Sequence, residues 1–176
     1  MGKINIMIDT IYLDMDGVIC DFDKSYSSIF GLNCRDDPDK SNWDKFVNNK
    51  GFFNLEPCKG FTSLIDCLYT YNVDIVILSC AGNRPDYGQV RRQKIDWLME
   101  YNLGHLDAHF TRTKLQKADF ARKSSLLIDD SKACIDPFKE KNGYGILHTS
   151  AKQTIIELGC LKDKGLLCAL SLDQTT

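Results

Sequence analysis

Short apolar runs rich in β-branched and aromatic residues recur at 10–13, 73–78, 108–110, 125–128 and 144–148, each closed by polar or turn-forming residues. Each reads as a strand. Between them, apolar positions repeat at helical spacing over 61–71, 87–101, 115–122, 132–141 and 151–158. This alternation predicts a Rossmann-like α/β fold, a three-layer α/β/α sandwich around a mainly parallel sheet with right-handed crossovers. Ligands in such folds sit outside the carboxyl ends of the strands.

The interval 21–58 departs from the alternation. It is long, carries the polar cluster CRDDPDKSN from Cys34 to Asn42, and offers only short helical stretches. Phe30, Trp43, Phe46, Phe52, Phe53 and Leu55 supply more apolar surface than a disordered linker needs. The expectation is a small helical cap inserted after the first core strand, with residues 1–20 and 59–176 forming the core domain. The stretch after Gly159 contains an apolar patch that the pattern does not place.

Composition narrows the functional classes. A chain of 176 residues with 43% hydrophobic content can bury the core of one domain. Its 22 basic and 24 acidic side chains are well mixed, so no basic stripe follows a long nucleic acid. The eight cysteines are irregularly spaced, with no C-x-x-C. They read as buried free thiols in a reducing cytosol rather than a disulfide framework or a zinc site. No run approaches the ~20 apolar residues of a membrane span. The early acids Asp9 and Asp14 interrupt any secretion signal, and Ile6 stands where a myristoylation motif needs Ser or Thr. A soluble, cytoplasmic protein is expected.

The candidate chemistry lies at the ends of the strands. In IYLDMDGV the first strand runs into Asp14 and Asp16, two residues apart, and Gly17 lets the backbone turn beyond them. Taken alone, a D-x-D-G string is also ordinary loop chemistry. A second acidic pair, Asp129 and Asp130, closes LLIDDS. If the two strands are parallel neighbours, four carboxylates converge and repel strongly unless a hard cation neutralises them, and oxygen-rich sites of this kind suit Mg²⁺. Ser79 ends the strand VDIVILS, and Lys117 opens a short helix before the Asp129 strand. A hydroxyl and an ammonium at that edge can hold phosphoryl oxygens.

The ordered set of D-x-D, Ser, Lys and D-D, spanning roughly residues 11–131, resembles the four motifs of the haloacid dehalogenase (HAD) phosphatase superfamily. A closer likeness, to the 5'(3')-deoxyribonucleotidases, lies in DMDGVICDF from Asp14, GFFNLEP from Gly51, QKIDW from Gln93 and LLIDD from Leu126. The chain departs from that family where Ser79-Cys80-Ala81-Gly82 replaces a Thr-Ser-Pro turn. It also offers two candidate motif lysines. Lys114 follows Thr111-Arg112-Thr113 as in that family, while Lys117 in KADFA fits the wider pattern and is preferred.

The resemblance implies an aspartyl-phosphate mechanism. Asp14 would be the nucleophile and Asp16 the general acid and then base. Mg²⁺ would be held by Asp14, the Asp16 main-chain carbonyl and Asp129, with Asp130 orienting these ligands and Ser79 and Lys117 on the phosphoryl oxygens. The substrate would be a small phosphorylated molecule, a (deoxy)nucleoside monophosphate by the closer likeness. Phe22, whose counterpart in that family contributes to the base pocket, would line it with Trp43, Phe52 and Phe53. A 3'-phosphatase of nucleic-acid ends and a sugar or cofactor phosphatase use the same motifs. A closed aromatic pocket favours the free nucleotide, and a cleft open on one side favours a strand end. A protein that binds a phosphorylated ligand without turnover is disfavoured by the presence of both Asp14 and Asp16. Arg91, Arg92 and Lys94 form a local basic cluster that reads as the solvated face of a helix.

Overall fold

The computed structural model describes residues 6–170. Five strands, β1 (Thr10–Leu13), β2 (Asp74–Cys80), β3 (Ala108–Thr111), β4 (Ser125–Asp129) and β5 (Tyr144–Leu147), form one all-parallel sheet in the order β3-β2-β1-β4-β5. The chain adds β2 and β3 on one side of β1, then crosses over to add β4 and β5 on the other. The reversal of direction at β1 makes a crevice above the carboxyl ends of the central strands, where side chains from several elements can meet.

Parallel strands covered on both faces need apolar side chains in both directions, which is why they read as continuous apolar runs. Alternate residues feed two cores. Ile11, Leu13, Ile77, Leu126 and Ile128 pack with α3 (Phe61–Leu68), α4 (Tyr87–Glu100) and α6 (Ala151–Asp163). Tyr12, Leu78 and Leu127 pack on the other face with α5 (Lys132–Glu140). The segment 115–122 is a 3-10 turn, Leu115–Phe120, rather than an α-helix, and its Phe120 packs edge-on against Tyr12. The last helix runs five residues beyond its expected end at 158, to Asp163. Within the unplaced tail Leu167 is buried in the first core and Leu170 N–H donates to the Thr70 carbonyl. The tail's residues 171–176 lie outside the described part.

Residues 21–58 carry two full helices, α1 (Phe22–Phe30) and α2 (Lys40–Asn48). The polar cluster between them is ordered by local hydrogen bonds. The buried Asp37 carboxylate accepts from Tyr26 Oη, Asn42 Nδ2 and the Asp39 N–H, and Asp39 in turn caps α2 through the Ser41 N–H. An aromatic cluster of Phe22, Tyr26, Phe46 and Phe52 fills the space beneath.

Helix α4 ties this segment to the sheet. Gln93 accepts from the Phe52 N–H and donates to the Val47 carbonyl, and Trp97 Nε1 donates to the Leu55 carbonyl at 2.9 Å. Trp97 is fully buried against Phe61 and Tyr101. Trp97→Ala should destabilise the protein by roughly 3–5 kcal/mol, the range for emptying a large aromatic site. Urea denaturation checks this, and a loss below about 1 kcal/mol would mean that the 50s turn is held by other contacts.

All eight cysteines are unpaired. Cys20 and Cys134 are buried in the two cores and Cys34 and Cys67 pack partly buried against the first, whereas Cys160 and Cys168 are exposed, so the expectation that the thiols act as core hydrophobes holds for half of them. Among the described residues no helix is long and apolar enough to cross a membrane.

Candidate active site

The sheet register brings the two acidic strand ends together. Leu13 pairs with Ile128 across β1 and β4, so Asp14 and Asp129, each one residue further on, stand side by side. One carboxylate oxygen from each of Asp14, Asp129 and Asp130 lies within 4.8 Å of the others. Gly17 turns the chain at φ +77°, and a Cβ there would collide with the Asp130 carboxylate, so this position requires glycine twice over. The Asp16 side chain lies outside the trio, bonded to Lys94 on α4.

Two buried ammonium groups stand beneath the acids. Lys117 Nζ, 1% exposed, lies 2.7 Å from Asp129 Oδ2 and 2.8 Å from Asp14 Oδ1. The first contact is a hydrogen bond; the second is a charge contact whose angle leaves Asp14 Oδ1 without a hydrogen bond. Lys94 Nζ, equally buried, donates to Asp16 Oδ2 at 2.6 Å and to Ser79 Oγ at 2.9 Å. Burial pushes the Asp14 carboxyl up, but Lys117 and then Lys94 outweigh it and hold the group below its usual range. Burial and the neighbouring Asp14 and Asp129 charges push the Asp130 carboxyl up to about 6. Burial, then Asp14, also raises Asp129, against the pull of Lys117.

A cavity of about 600 Å³ opens over this group. Its floor includes Asp14, Asp16, Gly17, Lys117 and Asp130, and one wall is formed by Phe22, Trp43 and Phe52. Phe22 stacks on Phe52 with ring centroids 5.4 Å apart and planes 9° apart. Trp43 is fixed by its Nε1 donating to Asp86 and by the Arg84 guanidinium over its ring. A separate hollow of about 450 Å³ lies between α5, β5 and α6, with Glu157 its only carboxylate.

Several placements differ from the sequence reading. Ser79, assigned there to phosphate, is wholly buried and bonded to Lys94, and the cavity is lined beyond it by Cys80, Ala81 and Gly82. Phe53 does not line the cavity, because adjacent residues of the 50s turn point apart and Phe52 takes the inward place. Asp130, assigned to orient the metal ligands, brings its own oxygen into the carboxylate trio, whereas the Asp16 side chain stands outside it. Lys114 also lines the cavity, with Nζ 3.2 Å from Ser131 Oγ, while Lys117 alone of the two reaches Asp14 and Asp129.

Lys94 is the largest miss. Read as a solvated charge, it is buried among the catalytic candidates; its spacing of four from Val90 and three from Trp97 on one helical face was the available signal. Arg35 and His148 also line the cavity unannounced. His148 Nδ1 is 2.8 Å from Thr154 Oγ1, and burial lowers its basicity.

The carboxylate trio fits a hard divalent cation. Its ligand atoms are all oxygens, as Mg²⁺ prefers, and the buried Asp14 Oδ1 meets only the poorly aligned Lys117 ammonium at 2.8 Å, leaving it room to take a cation. Asp14, Asp16, Asp129 and Asp130, with Asp21 and Asp23 in the cavity lining, outnumber Lys94, Lys117, Lys114 and Arg35 by two, so negative charge remains in excess.

No protein-family model matches the sequence, and no curated protein matches it. Solved structures do. A haloacid dehalogenase-like family hydrolase from Xanthomonas campestris superposes with a TM-score of 0.61 at 10% identity, covering 93% of this chain and 96% of that one. A HAD hydrolase from Bacillus subtilis bound to magnesium gives 0.55 at 13% identity over 86% and 99% of the two chains. A HAD family hydrolase from Deinococcus radiodurans with bound phosphate and sodium gives 0.54 at 14% identity over 94% and 100%. At these identities the likeness is one of fold, and the fold is that of the HAD hydrolases.

Proposed function

We propose that the protein is a Mg²⁺-dependent phosphomonoesterase working through an aspartyl-phosphate on Asp14, with a nucleoside monophosphate as substrate. The observation that carries this reading is the convergence of Asp14, Asp16, Lys117 and the Asp129-Asp130 pair on one cavity floor beneath an aromatic wall. The magnesium and the phosphate bound in relatives of the same fold support it.

Asp14 attacks phosphorus and is kept ionised for this by Lys117 and Lys94. Asp16 gives its proton to the leaving ester oxygen and then takes one from the attacking water. Lys117 balances the charge on Asp14 and Asp129 while the phosphoryl group passes over them. Asp14, Asp129 and Asp130 would hold the Mg²⁺, which when bound neutralises charge on the phosphoryl oxygens. Asp16 separates this reading from carbon–halogen cleavage, since a halide leaves without a proton and an alkoxide needs one.

The occupant of the aromatic wall is a planar base. Phe22 and Trp43 present ring surface to the cavity with the buried Phe52 stacked against Phe22, and Asp21 and Asp23 offset Arg35 and Lys114 in the same lining, so no net positive charge draws a long polyanion. Residues 21–58 then act as the specificity cap, because the floor meets only phosphate and metal. A panel of 5'- and 3'-phosphorylated nucleosides and generic phosphomonoesters, assayed with Mg²⁺, tests the whole reading.

Phe22→Ala tests the wall. Stacking on an aromatic ring contributes about 1–3 kcal/mol, so kcat/KM for deoxyuridine monophosphate should fall roughly 5- to 150-fold. Hydrolysis of p-nitrophenyl phosphate should change much less. Equal losses on both substrates would assign Phe22 to supporting Phe52 and Phe46 rather than to binding a base.

A further inference from the structure

A lysine within an amphipathic helix normally carries its ammonium out to water. Lys94 does the opposite: it is 1% exposed, and among the described residues its ion pair is with Asp16. Burying an ammonium costs several kcal/mol unless it is paired and its protons are used. Two of its three protons have partners, Asp16 Oδ2 at 2.6 Å and Ser79 Oγ at 2.9 Å, and Nζ lies 5.1 Å from the centroid of the Phe52 ring. The Asp16 carboxylate is pinned by one oxygen. Its other oxygen, Oδ1, meets only the weak Cys20 thiol donor at 3.5 Å. Lys94 itself is absent from the cavity lining, although Asp16 and Phe52 are both part of it.

We propose that Lys94 is a positioning residue for Asp16: braced by Ser79, its ammonium fixes Asp16 Oδ2 and leaves Oδ1 as the oxygen that exchanges protons with the reacting groups. This rests on the phosphatase reading above. In the first step the bond from Asp14 to phosphorus forms, the ester P–O bond breaks, and the leaving oxygen takes the proton from Asp16 Oδ1. In the second, water loses a proton to Oδ1 as its oxygen joins phosphorus, and the Asp14–phosphorus bond breaks. The brace also reaches the cap. The next residue, Gln93, holds the Phe52 N–H and the Val47 carbonyl, so one turn of α4 sets both the aromatic wall and the proton-transfer carboxyl.

Lys94→Met keeps the length and removes the charge. On deoxyuridine monophosphate kcat should fall about 10²-fold, the scale of a misplaced acid and base, with little change in KM or in inhibition by orthophosphate. On p-nitrophenyl phosphate the first step needs no proton, because nitrophenolate leaves as an anion, and only the second step slows. The variant should therefore release a burst approaching one nitrophenolate per enzyme, followed by a steady state slowed far more than the burst, so that the ratio of burst rate to steady-state rate rises above that of wild type. A general loosening of the site would slow both steps and leave that ratio unchanged. An orthophosphate inhibition constant raised tenfold or more would make Lys94 a phosphate ligand. Either result overturns the proposal.

If the methionine variant does not fold, Ser79→Ala removes the brace alone. A severalfold drop in kcat with unchanged orthophosphate inhibition supports the proposal. Weakened inhibition would restore Ser79 to the phosphate and overturn it. Wild-type protein that turns over neither ester would instead sink the phosphatase reading itself, whereas active wild type with an unaffected Lys94→Met overturns the positioning role alone.

Discussion

Asp14→Asn should abolish phosphomonoester hydrolysis, lowering kcat by roughly 10⁴- to 10⁶-fold, the scale on which loss of a covalent nucleophile is felt. The amide keeps the shape of the carboxylate but has no anionic oxygen to attack phosphorus. Folding should survive, because Lys117 retains Asp129 at 2.7 Å and Lys94 retains Asp16 at 2.6 Å, so neither buried ammonium is stranded. Removing one charge from a crowded acidic cluster also relieves repulsion on Asp130 and Asp129, both of which Asp14 raises. The check is paired. Rapid quenching of wild type with labelled substrate should trap a base-labile phosphoprotein that Asp14→Asn does not form, while circular dichroism of the two should agree. A variant at near wild-type rate would move the nucleophile to another residue.

The sheet was legible because parallel strands buried on both faces must be apolar throughout. β1 was read at its observed bounds, and the other four within one or two residues. The cap was harder. Helix α1 exposes Asp23, Lys24 and Ile29 and buries only Tyr26 fully, so its apolar face is too narrow to stand out in a short window. The polar cluster that follows looked like loop because its stabilisation is a three-donor hydrogen-bond network on Asp37, which periodicity does not record.

The candidate site divides in the same way. Asp14 and Asp129 were recoverable because strand ends and register place them, and the Leu13–Ile128 pairing is a consequence of matching two apolar runs. Lys94 and Ser79 were misplaced because their environment is tertiary. A lysine is assigned to the surface by default, and only the fold shows Asp16 and Lys94 brought together across the sheet end. The choice between Lys114 and Lys117 likewise depended on tertiary placement: Lys114 precedes the 3-10 turn and stays exposed at the cavity, while Lys117 within it is buried against Asp14 and Asp129.

Chelating the metal should remove activity completely, and restoring Mg²⁺ should return it. The cause is electrostatic. Asp14, Asp129 and Asp130 bring oxygens within 4.8 Å of one another, and Lys117 is shared between two of them. A phosphate dianion approaching that floor meets excess negative charge, at a cost of several kcal/mol for each unscreened pair near 4 Å when the effective dielectric constant is about 20. A divalent cation reverses the sign of the field. The same repulsion acts on the folded chain without substrate, so Mg²⁺ should raise Tm. At about 100 times Kd the stabilisation is about 2.7 kcal/mol, which for a chain of this size is roughly 5–10 °C. Asp129→Asn, which takes one oxygen anion from the trio, should shrink that shift and weaken Mg²⁺ activation together. Full turnover in EDTA would remove the metal from the mechanism. A Tm indifferent to Mg²⁺ in an enzyme that EDTA inactivates would mean that the cation arrives with the substrate rather than residing on the three carboxylates.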